Sequence, residues 1–421
     1  MKVLRVISIL ALCTALAAGF AGCGGGGGGG SSDSGSANSP AQSQPAQGGP
    51  PPVVTSVGNL GIALVPSDPQ EDNAAGGNPT SVLQVVHLFD ANGNPLARPT
   101  VSSMVYNGVG DLDGAAMTPG GAYGVMVDGA NDNLFFFLVQ NGRASAFDAP
   151  LGVGTYGRDG DSIVITSSGD EAIVSLDDNV HLLLVSGIAS GNPKPAAYIM
   201  IPDYRDGVVL SADDKVLLAR GPGGLTVFAV NPASPAQGPL GGTVSHNFTQ
   251  TADIPALGTS SAEGQGRDGM AISPADSSRA VIITNGTSST VQLLTGLPGN
   301  PTQSEPVSVN QHVYSVAVGP APGDLAIVGT DKGLLMFSGV ASGTLTQVGP
   351  LYAPAYSLNG RNVTLGMITT LGLTLDGKYA VVCDFTNSAL LIIPVSAKGF
   401  GAPAGILPGI SVPWSDEMLV H

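Results

Sequence analysis

The sequence predicts an all-β domain assembled from repeated units, and three observations carry that expectation. Its 421 residues include 61 glycines and 32 prolines, residues that punctuate turns and weaken helices. Only 11% of residues are charged, whereas 43% are hydrophobic and fall in short runs rich in Val, Ile and Leu. The third observation is self-similarity along the chain, with each unit reading as apolar strand, Ser/Pro/Asp/Gly turn, apolar strand. A helical solenoid also has long repeats, but no run here sustains a 3.6-residue apolar period.

The amino-terminal stretch MKVLRVISILALCTALAAGFAGC has a short basic start, Lys2 and Arg5, then an apolar run and small residues. It is short for a membrane-spanning helix and has the shape of a secretory signal over residues 1–22. Its end, FAGC, resembles the lipobox of bacterial lipoproteins, with Phe20 where Leu is usual. That resemblance implies that Cys23 becomes the lipidated first residue. Gly24, rather than Asp, follows it, which resembles the outer-membrane case. Residues 23–57 then form a Gly/Ser/Pro/Gln tract that cannot bury apolar surface, so a disordered tether is expected. Such a tether holds a globular domain, residues 58–421, clear of a membrane.

Within that domain the units are, in order, DLDGAAMTPGGAYGVMV from Asp111, GRDGDSIVITSSGDEAIV from Gly157 and YRDGVVLSADDKVLLA from Tyr204. GRDGMAISPADSSRAVIIT from Gly266, VYSVAVGPAPGDLAIVG from Val313 and ITTLGLTLDGKYAVVCD from Ile368 follow. A third apolar run usually comes next, as in NLFFFLV, NVHLLLV and ALLIIPV. The first strands begin near Ala115, Asp161, Val208, Met270, Val316 and Leu371, at intervals of 46, 47, 62, 46 and 55. Repeats of this length with three or four short strands predict the blades of a β-propeller. The closing SDEMLVH puts Met418 another 47 residues on, as the first strand of a further unit. NLGIALVPSD, SVLQVVHLFDANG and RPTVSS near the other end supply the rest of that unit. The expectation is a seven-bladed β-propeller, six blades continuous and one composite, closed by the C-terminal strand joining the N-terminal strands and leaving no open sheet edge.

LTLDGKYAVVCDFTNSALLIIPV and ISPADSSRAVIITNGTSSTVQLL resemble the YVTN-type propellers, whose superfamily includes lactonase-like enzymes. The resemblance spans about residues 59–421 and implies the fold, with a hydrolase as the function that analogy would add. The VTN signature survives loosely, as Ile283-Thr284-Asn285 and Cys383-Asp384.

Formal charge is −16, and loss of Lys2 and Arg5 with the signal takes it to −18. Such a surface repels nucleic acid, so no nucleic-acid partner is expected. Cys383 in YAVVCDF reads as a small buried hydrophobe, and the three cysteines offer no disulfide framework or CxxC pair. His87, His181, His246, His312 and His421 stand in different units at no ligand spacing, so neither a metal nor a cofactor is expected. Phe135, Phe136 and Phe137 read as blade core.

The candidate site is a triplet ahead of each first strand. Asp113, Asp159, Asp206, Asp268 and Asp416 share one repeat position, and Arg158, Arg205 and Arg267 precede three of them. The units at Tyr314 and Thr369 lack the Asp. In a propeller this places acids and arginines around the mouth of the central channel, where Arg can grip an anionic ligand. The competing reading is structural, with Asp fixing the turn and Arg pairing an Asp of the next blade. Two functions follow. One is a monomeric, envelope-tethered binding or scaffold module that meets a protein, glycan or small ligand through its faces and loops such as 235–265 and 343–365. The other is a lactonase-like hydrolase with a polar site at the channel mouth.

Overall fold

The computed structural model describes residues 62–67, 82–90, 92–105, 112–118, 123–128, 132–140, 143–146, 150–177, 180–258, 269–285, 288–320, 324–410 and 418–420. The expected signal, the tether and Cys23 lie outside these residues. Among the described residues the chain is all-β, with a short 3-10 turn at Pro255–Leu257.

Six blades are each contiguous in sequence, and every neighbouring pair of strands within them is antiparallel. Blade 1 begins with Leu112–Met117, blade 2 with Arg158–Ile165 and blade 3 with Gly207–Leu210. Blade 4 begins with Met270–Ile272, blade 5 with Val313–Val318 and blade 6 with Ile368–Leu373. The expected count of seven therefore rests on the remaining sheet, which is composite. In it Pro95–Val105, Val82–Phe89 and Ile62–Ser67 are followed by Leu419–Val420 from the other end of the chain. The closing pairs are Ala63 with Val420 and Leu64 with Leu419. A two-stranded hairpin, Ala355–Leu358 with Arg361–Thr364, sits between blades 5 and 6, inside the stretch 343–365 expected as loop.

The first strands touch in ring order through the six blades, and Leu419–Val420 touches both blade 6 and blade 1. The core follows the same order, because each apolar cluster is shared by two adjacent sheets. Val127, Phe136 and Val153 of blade 1 meet Ile163, Val174 and Leu183 of blade 2. Val164 and Leu184 of blade 2 meet Leu217 and Phe228 of blade 3 on the other face. Strands buried on both faces need continuous Val/Ile/Leu runs, which is why the alternation of a half-exposed sheet is missing from the sequence. Cys383 is fully buried, as are Phe136 and Phe137, in keeping with their sequence reading.

A second segment expected as loop is also strand. Residues 235–254, expected as loop, belong to a long hairpin of Gly224–Gln237 and Thr243–Ile254 that outruns its blade. In TVSHNFTQTADI the alternate residues Val244, Phe248, Ala252 and Ile254 are half-buried against the core, and polar His246 and Gln250 interrupt the apolar pattern on that face. The hairpin bends over the outer strand of blade 2, Lys194–Met200. Leu240 N donates to Ala196 O at 3.1 Å and Gly242 N to Pro195 O at 2.9 Å. The backbones approach so closely that a Cβ on Gly238 would lie 2.2 Å from Ala196 O, and one on Gly242 2.9 Å from Pro195 O.

Candidate functional site

The repeat position singled out in the sequence is a backbone irregularity. The register of the first strand slips between Leu112 and Gly114 in blade 1 and between Val313 and Ser315 in blade 5. It slips between Ile368 and Thr370 in blade 6, and blade 2 is irregular around Arg158 to Ser162. Asp113, Tyr314 and Thr369 are thus equivalent bulged residues, and a bulge re-aims its side chain out of the pleat. Asp113, Arg158 and Asp159 lie in these strands, but their side chains are outside the described residues, as are Arg267, Asp268 and Asp416 entirely.

Arg205 is described in full, and it does not stand free at a channel mouth. Its side chain is 0% exposed. Nε donates to Thr226 Oγ1 at 3.1 Å, Nη1 to Tyr204 O at 2.9 Å and Nη2 to Asp253 Oδ1 at 2.9 Å. Asp253 belongs to the outer strand of the same blade, so the pair ties one blade's inner edge to its outer edge rather than one blade to the next. Asp206 is half-buried, and its carbonyl accepts from Ser175 Oγ of blade 2 at 2.8 Å.

A second buried cation escaped the sequence reading. Arg220 ends the second strand of blade 3 and is fully buried. Nε donates to Leu257 O at 2.8 Å and Nη1 to Gly269 O at 3.0 Å, joining blade 3 to the start of blade 4. Burial pulls its pKa down to about 10 while the neighbouring Asp206 charge pulls it back up, so it stays charged at neutral pH.

Polar residues at the ends of other second strands serve as joints. Asn285 Nδ2 donates to Val313 O at 2.6 Å and Asn285 Oδ1 accepts from Val313 N at 3.1 Å, clamping blade 5 to blade 4. Asp384 is fully buried and accepts from Tyr356 Oη at 2.9 Å, Gly366 N at 3.2 Å and Asn387 Nδ2 at 2.7 Å. Burial and the Asp384 charge together push the Tyr356 phenol well above its usual range. Asn285 and Asp384 are the positions likened to a VTN signature in the sequence, and their bonds are structural.

Under the blade 3 hairpin lies a different constellation. A cavity of about 450 Å³ opens between the outer strands of blades 2 and 3, lined by Tyr198, Met200, Phe228, Phe248 and His246 among others. The Glu171 side chain is 1% exposed and accepts from Nδ1 of His246 and from Ser245 N. Glu171 comes from blade 2 and His246 from blade 3, so the pair spans two blades. Sequence reasoning missed it because the partners are 75 positions apart and His246 fell in a stretch taken for loop. Among the described residues no group of three or more His, Cys, Asp or Glu side chains is gathered as a metal site would require.

No family pattern and no curated protein sequence matches this chain. Solved structures do. A protein of unknown function from Desulfotomaculum acetoxidans aligns with a TM-score of 0.57 at 15% identity, covering 85% of this chain and 98% of its own. The periplasmic gluconolactonase of Pseudomonas aeruginosa aligns at 0.54 and 16% identity, again over 85% and 98%. A candidate 6-phosphogluconolactonase from Bacteroides uniformis aligns at 0.55 and 13% identity over the same shares. At such identities the likeness is one of fold, and the chain is an all-β propeller.

Proposed function

We propose that this chain is an envelope-tethered binding module, held to a membrane by a lipid on Cys23. The observation that carries the reading is the state of Arg205. The cation best placed by sequence to grip a ligand is enclosed in its own blade by Thr226, Tyr204 and Asp253. Asn285, Arg220 and Asp384 likewise spend their polar groups on joints. A hydrolase needs polar groups that converge on water-accessible space. The second reading, a lactonase-like hydrolase, draws on the fold shared with the Pseudomonas aeruginosa enzyme and on the Asp206 charge beside Arg220.

The two readings separate in a direct assay. The purified mature chain is expected to leave glucono-δ-lactone and 6-phosphogluconolactone hydrolysing at their uncatalysed rates. Turnover that disappears in Asp206→Asn would overturn the binding-module reading. For the anchor, cells supplied with labelled palmitate are expected to label the native chain and not Cys23→Ser. Equal labelling of both, or of neither, refutes a lipid at that residue.

A further inference from the structure

We propose that the Met418–Cys383 sulfur pair is a redox latch on the ring, and that oxidation of Met418 to its sulfoxide by a hydroperoxide unseats the closing strand. The latch lies in the seam between the composite sheet and blade 6, and it stands whether or not the mouth hydrolyses lactones.

Little backbone holds the seam. Leu419–Val420 meets Ile62–Ser67 through the pairs Ala63 with Val420 and Leu64 with Leu419. A strand end held by so few bonds opens locally far more often than the molecule unfolds. Met418 precedes that strand and anchors it. Its N donates to Thr370 Oγ1 of blade 6 at 3.3 Å. Its side chain is buried in the apolar cluster that takes Ala63, Val65 and Val86 from the composite sheet and Val381, Leu390 and Ile392 from blade 6. The Cys383 thiol, fully buried in the same cluster, donates to Met418 Sδ at 3.8 Å. The two sulfurs thus sit where the two ends of the chain are brought together.

A thioether suits this place only while it is unoxidised, because its sulfoxide is polar and a strong acceptor. In the step the Met418 sulfur gives its lone pair to one oxygen of the hydroperoxide. The S–O bond forms as the O–O bond breaks, and the departing hydroxide takes up a proton and leaves as water. Sulfur loses two electrons and the peroxide gains them. The new oxygen is then enclosed by aliphatic side chains, with the weak S–H donor of Cys383 beside it. Enclosing a polar oxygen with so poor a partner carries a penalty on the scale of the few backbone bonds that seat the strand. Departure of the strand relieves that penalty by carrying the sulfoxide into water. Enzymatic reduction of the sulfoxide restores the apolar side chain, so the latch is reversible. Met200, 62% exposed on the outer strand of blade 2, is far from the seam in the ring order and serves as an internal reference.

The test uses the mature full chain carrying Cys23→Ser, which leaves Cys383 as its one thiol. The chain is treated with hydrogen peroxide, then with catalase, then with dithiothreitol, which returns a cysteine sulfenic acid to the thiol and leaves methionine sulfoxide in place. Peptide mass spectrometry follows each methionine, and the rate of reaction with a maleimide follows exposure of Cys383. Met418, 7% exposed, is expected to oxidise after Met200 and well ahead of Met126 and Met336, 0% and 1% exposed. Chain oxidised at Met418 is expected to label Cys383 about tenfold faster than untreated chain. Methionine sulfoxide reductase is expected to return labelling to the slow rate. Met418→Leu is expected to label slowly before and after peroxide. Met418→Gln, which carries a permanent side-chain carbonyl, is expected to label fast with no oxidant. Oxidation of Met418 no faster than that of Met126 and Met336 overturns the proposal. So does an unchanged labelling rate in chain oxidised at Met418, or fast labelling of peroxide-treated Met418→Leu, which traces the opening to another methionine. Should Met418→Gln fail to fold, the reductase arm decides in its place, and labelling that stays fast after reduction refutes the latch.

Discussion

Single carboxylates do much of the joining at the turns that link first to second strands. Asp213 accepts from Ser211 Oγ at 2.8 Å, from Ser277 Oγ of blade 4 at 3.0 Å and from Lys215 Nζ at 2.8 Å. Thr374, Asp376 and Lys378 repeat the arrangement in blade 6, with Thr374 Oγ1 donating to Asp376 Oδ1 at 2.8 Å. Ser167 of blade 2 donates backbone and hydroxyl hydrogens to Asp214 of blade 3. Burial raises the Asp213 pKa, but Lys215, Ser211 and Ser277 outweigh it and hold the value at about 2. A carboxylate depressed in the folded state adds stability that is present above its unfolded value of 3.8 and is lost as pH falls toward 2. Thermal melts from pH 6 downward are therefore expected to hold level to about pH 4 and then drop, with Asp213→Asn flattening the lower limb. With Asp213 39% exposed, its share after solvent screening is about 0.5 kcal/mol. An unchanged acid limb in Asp213→Asn would refute the assignment. Arg205 presents the opposite case, a fully buried charge. Arg205→Met leaves Asp253 and Thr226 without that partner and is expected to cost about 3 kcal/mol in denaturant unfolding, with Arg205→Lys falling between. The Asp and Arg positions were legible in sequence because repetition reveals register. The direction of each side chain was not, since a bulge of one residue decides whether it faces the channel or the blade.

At the scale of the element, the hairpin 224–254 acts as a clasp. Its outer half lies across blade 2 by Leu240 N to Ala196 O, Gly242 N to Pro195 O and Thr243 N to Ser186 Oγ. Those bonds hold the turn of the hairpin against blade 2, next to Ala197 and Val244 of the cavity wall. Gly242 is the point to disturb, because a Cβ there would press on Ser186 Oγ at 2.6 Å and on two backbone carbonyls at 2.9 Å. Gly242→Val is expected to cost about 2 kcal/mol, the scale of overpacking. It is also expected to abolish hydrogen-exchange protection at Leu240 and Gly242 while leaving Val381 and Val382 of blade 6 protected. Loss of protection throughout the molecule would mean that the clasp is part of the global core rather than a local lock. The sequence announced extra length here through the 62-residue interval and was read as loop over 235–265. It did not announce the strands, because His246 and Gln250 interrupt the apolar alternation of Val244, Phe248, Ala252 and Ile254.

At the scale of the whole molecule, stability is distributed around a ring whose layers each need both neighbours. The sequence made the ring legible through its period, and made its closure legible through the orphan strand at the carboxyl end. It could not show how slight the closing contact is. Leu419–Val420 pairs with two residues of Ile62–Ser67, backed by Met418, whose N donates to Thr370 Oγ1 at 3.3 Å and whose sulfur lies 3.8 Å from Cys383 Sγ. Gly372 of blade 6 leaves space for this strand, since a Cβ there would sit 2.5 Å from a Val420 methyl. A ring is stabilised by closure only if the closing strand stays seated; once it leaves, the composite sheet and blade 6 each expose an apolar face from the cluster that joins Val381, Cys383 and Leu390 to Ala63, Val65 and Val86. Gly372→Val is therefore expected to act beyond its own site. It should lower the melting temperature by an amount matching about 2 kcal/mol. It should also raise the fraction that self-associates in size-exclusion chromatography, because an unpaired inner edge is a template for another chain. Gly401→Val, on the outer edge of the same blade against Pro394, is the control, expected to leave the molecule monomeric. If both variants lose the same stability and neither associates, the short C-terminal pairing is not what holds the ring shut.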